Sequence, residues 1–254
     1  MKHPAVIYLL LLSPFVVSAQ NADTIIRKVH VSFNYTKEIF PAEWRDPPIN
    51  ATAMPISSTE ISRSKAVITI ALGKYPLTVF EHNLKYVYFL KDMTFYEVGY
   101  GGTNSTDAVY ITDQGIDRGY TRKYLEQTFH HEFSSILLRN YPSYLDTTQW
   151  KEANVEGFIY NDPENGVGAI RNNQSSQDLD SFFCEKGILT QYGGSSIEND
   201  VNTFAQNLFC PEKNFWKLVD RYPRIRKKTE MLIGFYARFS PSYNEAFFRK
   251  MDKR

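Results

Sequence analysis

The stretch TRKYLEQTFHHEFSSILLRNYP, residues 121–142, carries the clearest secondary-structure signal in the chain. Its apolar residues recur at intervals of three and four, the spacing that places side chains on one face of an α-helix; they are Leu125, Phe129, Phe133, Ile136 and Leu137. Thr121 belongs to the residue types that cap a helix start, and Pro142 cannot continue a helix. We therefore predict a helix between Thr121 and Pro142 with a buried apolar face.

The same helix carries half of a zinc-peptidase motif. In HExxH, two histidines four positions apart hold one metal ion, and the glutamate after the first addresses the metal-bound water. His131 and Glu132 fit the first half, but Ser135 stands where the second histidine belongs. His130 does not replace it, because adjacent helical residues point about 100° apart. On these residues alone, a surface or capping pair is favoured over a metal site.

Upstream of this helix the pattern favours strands. Within residues 23–37, apolar side chains alternate as in a half-buried strand; they are Val29, Val31, Phe33 and Tyr35. The next segment, residues 38–62, is rich in Pro, Ser and Thr, which indicates a long connection that packs through Phe40 and Trp44.

Residues 65–120 read as strands or short helices. AVITIALGKYP, at its start, fits a strand or a short helix, Thr78–Leu84 is spaced as a helix, and Ala108–Thr112 is predicted as a strand. The glycine-rich turn at 99–102 precedes that last strand. An exposed strand in this region could bind an extended peptide through its main chain, although a plain sheet edge is the simpler interpretation.

Downstream of the central helix the chain becomes polar and then helical. Residues 142–182 contain turn-rich runs and are predicted as irregular. Further helices are expected at about 197–209, 212–221, 224–239 and 242–251. Strands followed by helices predict an α+β fold, with an N-terminal mixed or antiparallel sheet region and a helical lobe after it.

The N-terminus has the pattern of a secretory signal peptide. A short basic start, an apolar segment and small residues before Ala19 predict cleavage after residue 19 and export to the periplasm or the medium. No cysteine lies at the predicted cleavage site, so a lipid anchor is not expected. We divide the remainder into an N-terminal segment, 20–64, and a main domain, 65–254. No later stretch is apolar for long enough to span a membrane.

The charge balance argues against binding to nucleic acid. The formal net charge is +1. Sequence-independent binding to the phosphates of a nucleic acid needs a concentrated basic surface. The densest basic run, RYPRIRKK at 221–228, is interpreted as the solvated start of a helix.

Cys184 and Cys210 are the only cysteines. In an oxidising compartment they could form a disulfide that stabilises the fold by roughly 3 kcal/mol. The alternative is two buried free thiols. The sequence leaves both possibilities open, and a hydrophobic core must carry the fold in either case.

Several blocks of the sequence, in their order, resemble one family. The chain is similar to the zinc-binding metallopeptidases exported by Gram-negative bacteria, the substrate-import-associated zinc metallohydrolases, whose gluzincin-like domain contains a helix of the form HHEFSHIL. The blocks that carry the resemblance are GYGGT, VYIT, FHHEFSSILL, WKEANVEGFIY, GILTQYGGSSIENDVNTFAQNLF and FWKLVDRYPRIRKKTEMLIGFY. The resemblance implies a zinc cofactor and a gluzincin-like lobe.

The resemblance also implies a third metal ligand, a carboxylate at the start of a later helix. Glu198 is the best candidate, but matching the following Asp-Val pair puts Asn199 at that position, and Asp200 is adjacent. Carboxylates in a first helical turn are also explained by helix capping. The third ligand therefore stays open among these three residues.

Two functions follow from this resemblance. In the first, the protein is an exported zinc peptidase in which His131 and Glu198 hold the metal and Glu132 is the general base. In the second, Ser135 marks an inactive relative that binds a peptide or a glycan beside an outer-membrane uptake system. Tyr236 could stabilise an oxyanion but is more simply a core aromatic. A different exported α+β protein is a third possibility.

Overall fold

The computed structural model describes residues 23–162 and 166–253, and the predicted signal peptide lies outside them. Seven strands form one sheet: β1 (Thr24–Ile26), β2 (Val29–Ser32), β3 (Thr52–Pro55), β4 (Tyr86–Phe95), β5 (Val98–Gly99), β6 (Gly102–Asn104) and β7 (Ala108–Thr112). The strands predicted at 29–35 and at Ala108–Thr112 are thus present, the first ending at Ser32.

The sheet is mixed, and its long central strand is β4. The strand order is β1-β2-β4-β7-β6, with β3 and β5 also pairing with β4. β4 runs parallel to β2 and to β7, whereas β1, β3, β5 and β6 pair antiparallel with their neighbours. The α+β fold predicted from the sequence is confirmed in this form. β6 is an edge strand of the sheet.

Ten α-helices lie within the described residues. They are α1 (Ser58–Gly73), α2 (Leu77–Glu81), α3 (Arg122–Asn140), α4 (Thr147–Glu152), α5 (Val167–Arg171), α6 (Ser181–Lys186), α7 (Ile197–Phe209), α8 (Phe215–Arg221), α9 (Pro223–Ala237) and α10 (Glu245–Arg249). None of the described helices is both long enough and apolar enough to cross a membrane.

Both faces of the sheet are covered. The main core lies between one face and the helices α1, α3, α7 and α9. A smaller cluster on the other face is built on Phe40, with Trp44 packed against it, as predicted. The 38–62 segment is not only a connection, because β3 and the start of α1 lie in it. All five residues of β7 are therefore buried, because Val109 and Ile111 enter the main core and Tyr110 enters the smaller cluster.

Helix α3 forms as its sequence predicts. The Thr121 hydroxyl accepts a hydrogen bond from Tyr124 N at 3.1 Å, which satisfies a first-turn amide. The five apolar residues singled out from the sequence are fully buried. The helix ends at Asn140, two residues before Pro142.

One assignment that the sequence left open is now decided, and another prediction was wrong. AVITIALG forms the second half of α1 rather than a strand, because Val67, Ile68, Ala71 and Leu72 share one helical face that is buried in the main core. Residues 142–182 are not wholly irregular, since α4, α5 and the start of α6 lie there; each has only five or six residues, too few for a periodic signal.

The N-terminal segment belongs to the same sheet as the rest of the chain. Strands β2 and β3 both pair with β4, and α1 spans residues 58–73. A division of the chain between residues 64 and 65 therefore falls inside a helix. Cys184 and Cys210 are both free thiols, as in the second of the two alternatives, although only Cys184 is buried and Cys210 is half-buried.

A buried ion pair joins helix α7 to helix α9. The Asp200 carboxylate lies 2.5 Å from Lys228 Nζ on α9, and both side chains are 0% exposed. The same carboxylate oxygen accepts from Trp150 Nε1 at 2.9 Å and from the Tyr160 hydroxyl at 2.7 Å. The basic run at 221–228 is therefore not wholly solvated, because its last lysine neutralises a carboxylate inside the protein.

Replacing Lys228 by Met should leave the Asp200 charge buried and unpaired. We expect the free energy of unfolding to fall by about 3–5 kcal/mol, measured by urea denaturation. Lys227→Met is the matched control, because Lys227 is the exposed neighbour on the same helix, and it should change stability by about 0.5 kcal/mol or less. Equal effects of the two variants would contradict the role given to the ion pair.

Candidate functional site

A cleft of about 460 Å³ lies between the edge strand β6 and the helices α3 and α7. From α3 it is lined by His131, Glu132 and Ser135, and from α7 by Glu198, Asn199, Asn202 and Gln206. Residues 99–104 form its rim along the sheet. The structure thus brings together in one cleft His131, Glu132 and Glu198, the three site residues predicted from the sequence.

The cleft depends on two glycines that let β6 lie directly on α3. A Cβ on Gly101 would fall 2.1 Å from the Tyr124 hydroxyl oxygen, and one on Gly102 would fall 2.5 Å from Thr128 Cγ2 and 2.8 Å from Glu132 Oε1. Residues 124, 128 and 132 are four apart and therefore share one helical face. The strand backbone, rather than side chains, contacts the helix there.

His131 is held in a fixed orientation by two glutamines. Its Nδ1 lies 2.9 Å from Gln206 Oε1, and Gln206 Nε2 donates to Gln177 Oε1 at 3.3 Å. Because an amide oxygen accepts, Nδ1 donates this hydrogen bond, and the tautomer that it selects has Nε2 as an acceptor. The Tyr192 ring stacks on the imidazole, with centroids 5.9 Å apart.

Glu132 stands beside His131 in a partly desolvated position. Its Oε2 accepts a hydrogen bond from Asn104 Nδ2 on β6 at 2.8 Å. Burial raises the pKa of this carboxyl above its usual 4.5, and the negative charge of Glu198 raises it further, while His131 and the Asn104 hydrogen bond oppose the rise. A raised pKa is typical of carboxyl groups that transfer protons, although buried structural carboxyls share it.

Ser135 occupies the place of the second histidine and is bonded to an amide. Asn202 Nδ2 on α7 donates to Ser135 Oγ at 2.6 Å. The carbonyl oxygen of Asn202 is buried and has no hydrogen-bond partner among the described residues. Ser135 and Asn202 therefore form a polar bridge between the helices that leaves one acceptor unsatisfied.

The three candidates for a third ligand lie in different surroundings. Glu198 and Asn199 line the cleft. Asp200 does not, because its carboxylate is bonded to Lys228, Trp150 and Tyr160 on the other side of α7. The Ser196 hydroxyl caps α7 by accepting from Asn199 N at 3.1 Å, so the cap is supplied by Ser196 rather than by the acidic residues.

The donors in the cleft do not form the usual zinc set. A catalytic zinc ion takes three protein ligands and one open position, and among residues 23–162 and 166–253 no three His, Cys, Asp or Glu side chains are grouped to hold a metal. His131 Nε2 is a suitable ligand, but Ser135, Asn202 and Gln206 line the same cleft and supply a hydroxyl and two amides. Zinc binding stays a prediction that the resemblance alone carries.

Two other residues considered from the sequence lie in the interior. His130 is fully buried; its Nδ1 lies 2.8 Å from the Tyr75 hydroxyl, and its ring stacks on Phe209. Tyr236 is also fully buried within the main core, as expected for a core aromatic. Neither residue lines the cleft.

The sequence reasoning missed the amide-bearing residues Asn104, Asn202 and Gln206. A signal for the last two was present, because residues 198, 202 and 206 are polar, lie four apart and therefore share one side of α7. Asn104 has no such signal, since it reaches Glu132 only through the pairing of β6 with β7.

Comparison of the chain with family models, with curated proteins and with solved structures finds no match in any of the three. The fold and the cleft define a mixed α+β protein with a polar cleft beside a sheet edge. The metallopeptidase resemblance remains a prediction from the sequence.

Adding a methyl group at Gly102 should separate β6 from α3. Gly102→Ala is expected to lower the free energy of unfolding by about 1–3 kcal/mol, because the new Cβ overlaps Thr128 and Glu132. Gly99→Ala is the control, since a Cβ there meets no atom within 4 Å. Urea denaturation compares the two, and a Gly102→Ala variant as stable as Gly99→Ala would contradict the close contact.

Proposed function

We propose that this protein binds an extended peptide in the cleft, as an inactive relative of the exported zinc metallopeptidases. The observation that carries the proposal is the position of β6, an unpaired sheet edge that forms the rim of a polar cleft. A strand edge offers main-chain donors and acceptors to another extended chain, and neighbouring side chains then supply selectivity.

The backbone of β6 is oriented for such pairing. Thr112 N donates to Gly101 O, and Ser105 N donates to Ala108 O, both at 2.9 Å. In an antiparallel pair, residues bonded to the partner alternate with residues whose amide groups point away. The amide groups of Gly102 and Asn104 therefore point away from β7, and within the described part of the chain β6 pairs with no other strand.

The side chains of the cleft favour binding over cleavage. Ser135 and Gln206 are each occupied by a hydrogen bond to another cleft residue, and the second histidine of HExxH is replaced. Amide and hydroxyl groups bind a peptide backbone well but do not activate water. The inferred ligand is a peptide or an unfolded protein segment, and an exported location beside outer-membrane uptake components is part of the proposal.

Pairing with β6 predicts a two-residue pattern in the ligand. A C-terminally tethered array of random ten-residue peptides, with free N-termini and with lysines, should yield binders. N-methylation of successive residues in the best binder should weaken binding about tenfold or more at alternate positions and little between them, because alternate amides donate to the edge. Fluorescence anisotropy measures both series.

Two results would contradict strand pairing. One is an array on which no peptide binds the wild-type protein. The other is a binder whose affinity falls equally at every N-methylated position, or at none. Gly102→Ala should weaken binding, and Gly234→Ala on α9, where a Cβ meets no atom within 4 Å, should leave it unchanged.

A second candidate function is peptide hydrolysis, and the specific observation that favours it is Glu132. This carboxyl lies in the cleft beside His131 and has a pKa raised by burial, as a general base would. The hydrolase hypothesis includes zinc held by His131 and Glu198, with Glu132 taking the proton of the attacking water.

Cleavage of the array-selected peptide separates the two functions. A hydrolase should cleave it, with a rate that rises with pH through a pKa above 4.5, because the base acts as the carboxylate. Glu132→Gln should then lower cleavage by about 100-fold or more while peptide binding remains. The binding proposal expects no cleavage by either form. Mass spectrometry detects the products, and elemental analysis of protein purified without chelator detects zinc that His131→Ala should remove.

A further inference from the structure

The floor of the cleft, formed by His131, Glu132 and Asn202, carries three side-chain acceptors. The buried carbonyl oxygen of Asn202 has no partner among the described residues, and the side chain of Asn202 is 1% exposed. Glu132 accepts one hydrogen bond, at Oε2, and Oε1 accepts none within residues 23–162 and 166–253. His131 Nε2 is the third acceptor, because Nδ1 carries the ring proton.

Ser135 connects the residues that carry these three acceptors. On α3 it is a neighbour of both His131 and Glu132, since positions three and four apart lie side by side on a helix. Asn202 Nδ2 donates to Ser135 Oγ at 2.6 Å, which holds the Asn202 amide beside the same part of α3. All three residues line the cleft.

The cationic side chain that lines the cleft, Arg139, is already engaged. Arg139 Nη2 donates to Asn104 Oδ1 at 2.7 Å and to Ser105 O at 2.9 Å. Within the described residues Glu132 forms no ion pair. A second carboxylate, that of Glu198, faces the same space and adds negative potential to the floor.

We propose that this floor binds a primary ammonium group of the peptide ligand, through Glu132 Oε1, Asn202 Oδ1 and His131 Nε2. The inference rests on the proposed peptide binding and names the group that the site selects. An ammonium group has three N–H donors and no acceptor, so it matches three acceptors of which one is charged. It also satisfies the buried Asn202 oxygen, which otherwise remains without a hydrogen bond.

A primary ammonium can come from the N-terminus of the ligand or from a lysine side chain. The test uses the peptide selected on the array. Its N-terminus is acetylated in one arm, and each lysine is replaced by Nε-acetyl-lysine in the other. We expect one of these changes to weaken binding about 10- to 100-fold, and the arm in which this occurs identifies the source.

The contribution of the cleft residues is measured by combining each peptide change with a protein variant. In Glu132→Gln the preference for the free amine over its acetylated form should fall at least tenfold. In Asn202→Ala this preference should also fall. Glu185→Gln is the matched control, because Glu185 is an exposed carboxylate on α6, and it should keep the full preference. Circular dichroism verifies that each variant is folded.

Each outcome decides either this inference or the proposed function. If binding keeps its alternating N-methyl pattern but neither acetylation weakens it, the peptide-binding proposal stands and the ammonium site is overturned. If no peptide binds, both proposals fail. If zinc ions alone bind with one-to-one stoichiometry by calorimetry and are lost in Glu132→Gln and Asn202→Ala, the floor is a metal site and the ammonium inference is overturned.

Discussion

The buried pair of Asp200 and Lys228 fixes the helix on which the cleft depends. A carboxylate without its ammonium partner in the interior is strongly unfavourable, so α7 and α9 are held at one rotation and one distance. Trp150 and Tyr160 donate to the same oxygen and join α4 and the following loop to this arrangement. With Asp200 facing this network, the stripe of Glu198, Asn202 and Gln206 faces α3 on the opposite side of α7.

Much of the fold could be predicted from the sequence, and the failures have physical causes. Helix α3 begins at a capping hydroxyl and carries a long apolar face, and these local signals placed it correctly. The helix expected at 197–209 is also present, as α7. The second half of α1 stayed open between strand and helix because Val67, Ile68 and Ile70 are β-branched and prefer strands, and burial against the sheet overrides that preference. Short helices such as α5 give no periodic signal.

The residues of the candidate site could be predicted only where they lie next to each other in the sequence. His131 and Glu132 were found from a local motif, whereas Gln206, Asn202 and Asn104 reach them from α7 and β6, and the sequence separations of 75, 67 and 28 residues make those contacts invisible locally. The burial of Lys228 was hidden in the same way. A basic run predicts solvent exposure, and only the packing of α9 on α7 shows that Lys228 is buried.

The close approach of β6 to α3, made possible by two residues without side chains, sets how a bound chain is recognised. Side chains of an extended strand alternate between two faces, with a repeat of about 6.6 Å. One set turns toward the helix and the other toward water. Selectivity is then confined to every second residue of the ligand. The protein does not distinguish ligands that have the same residues at those positions and unrelated residues between them.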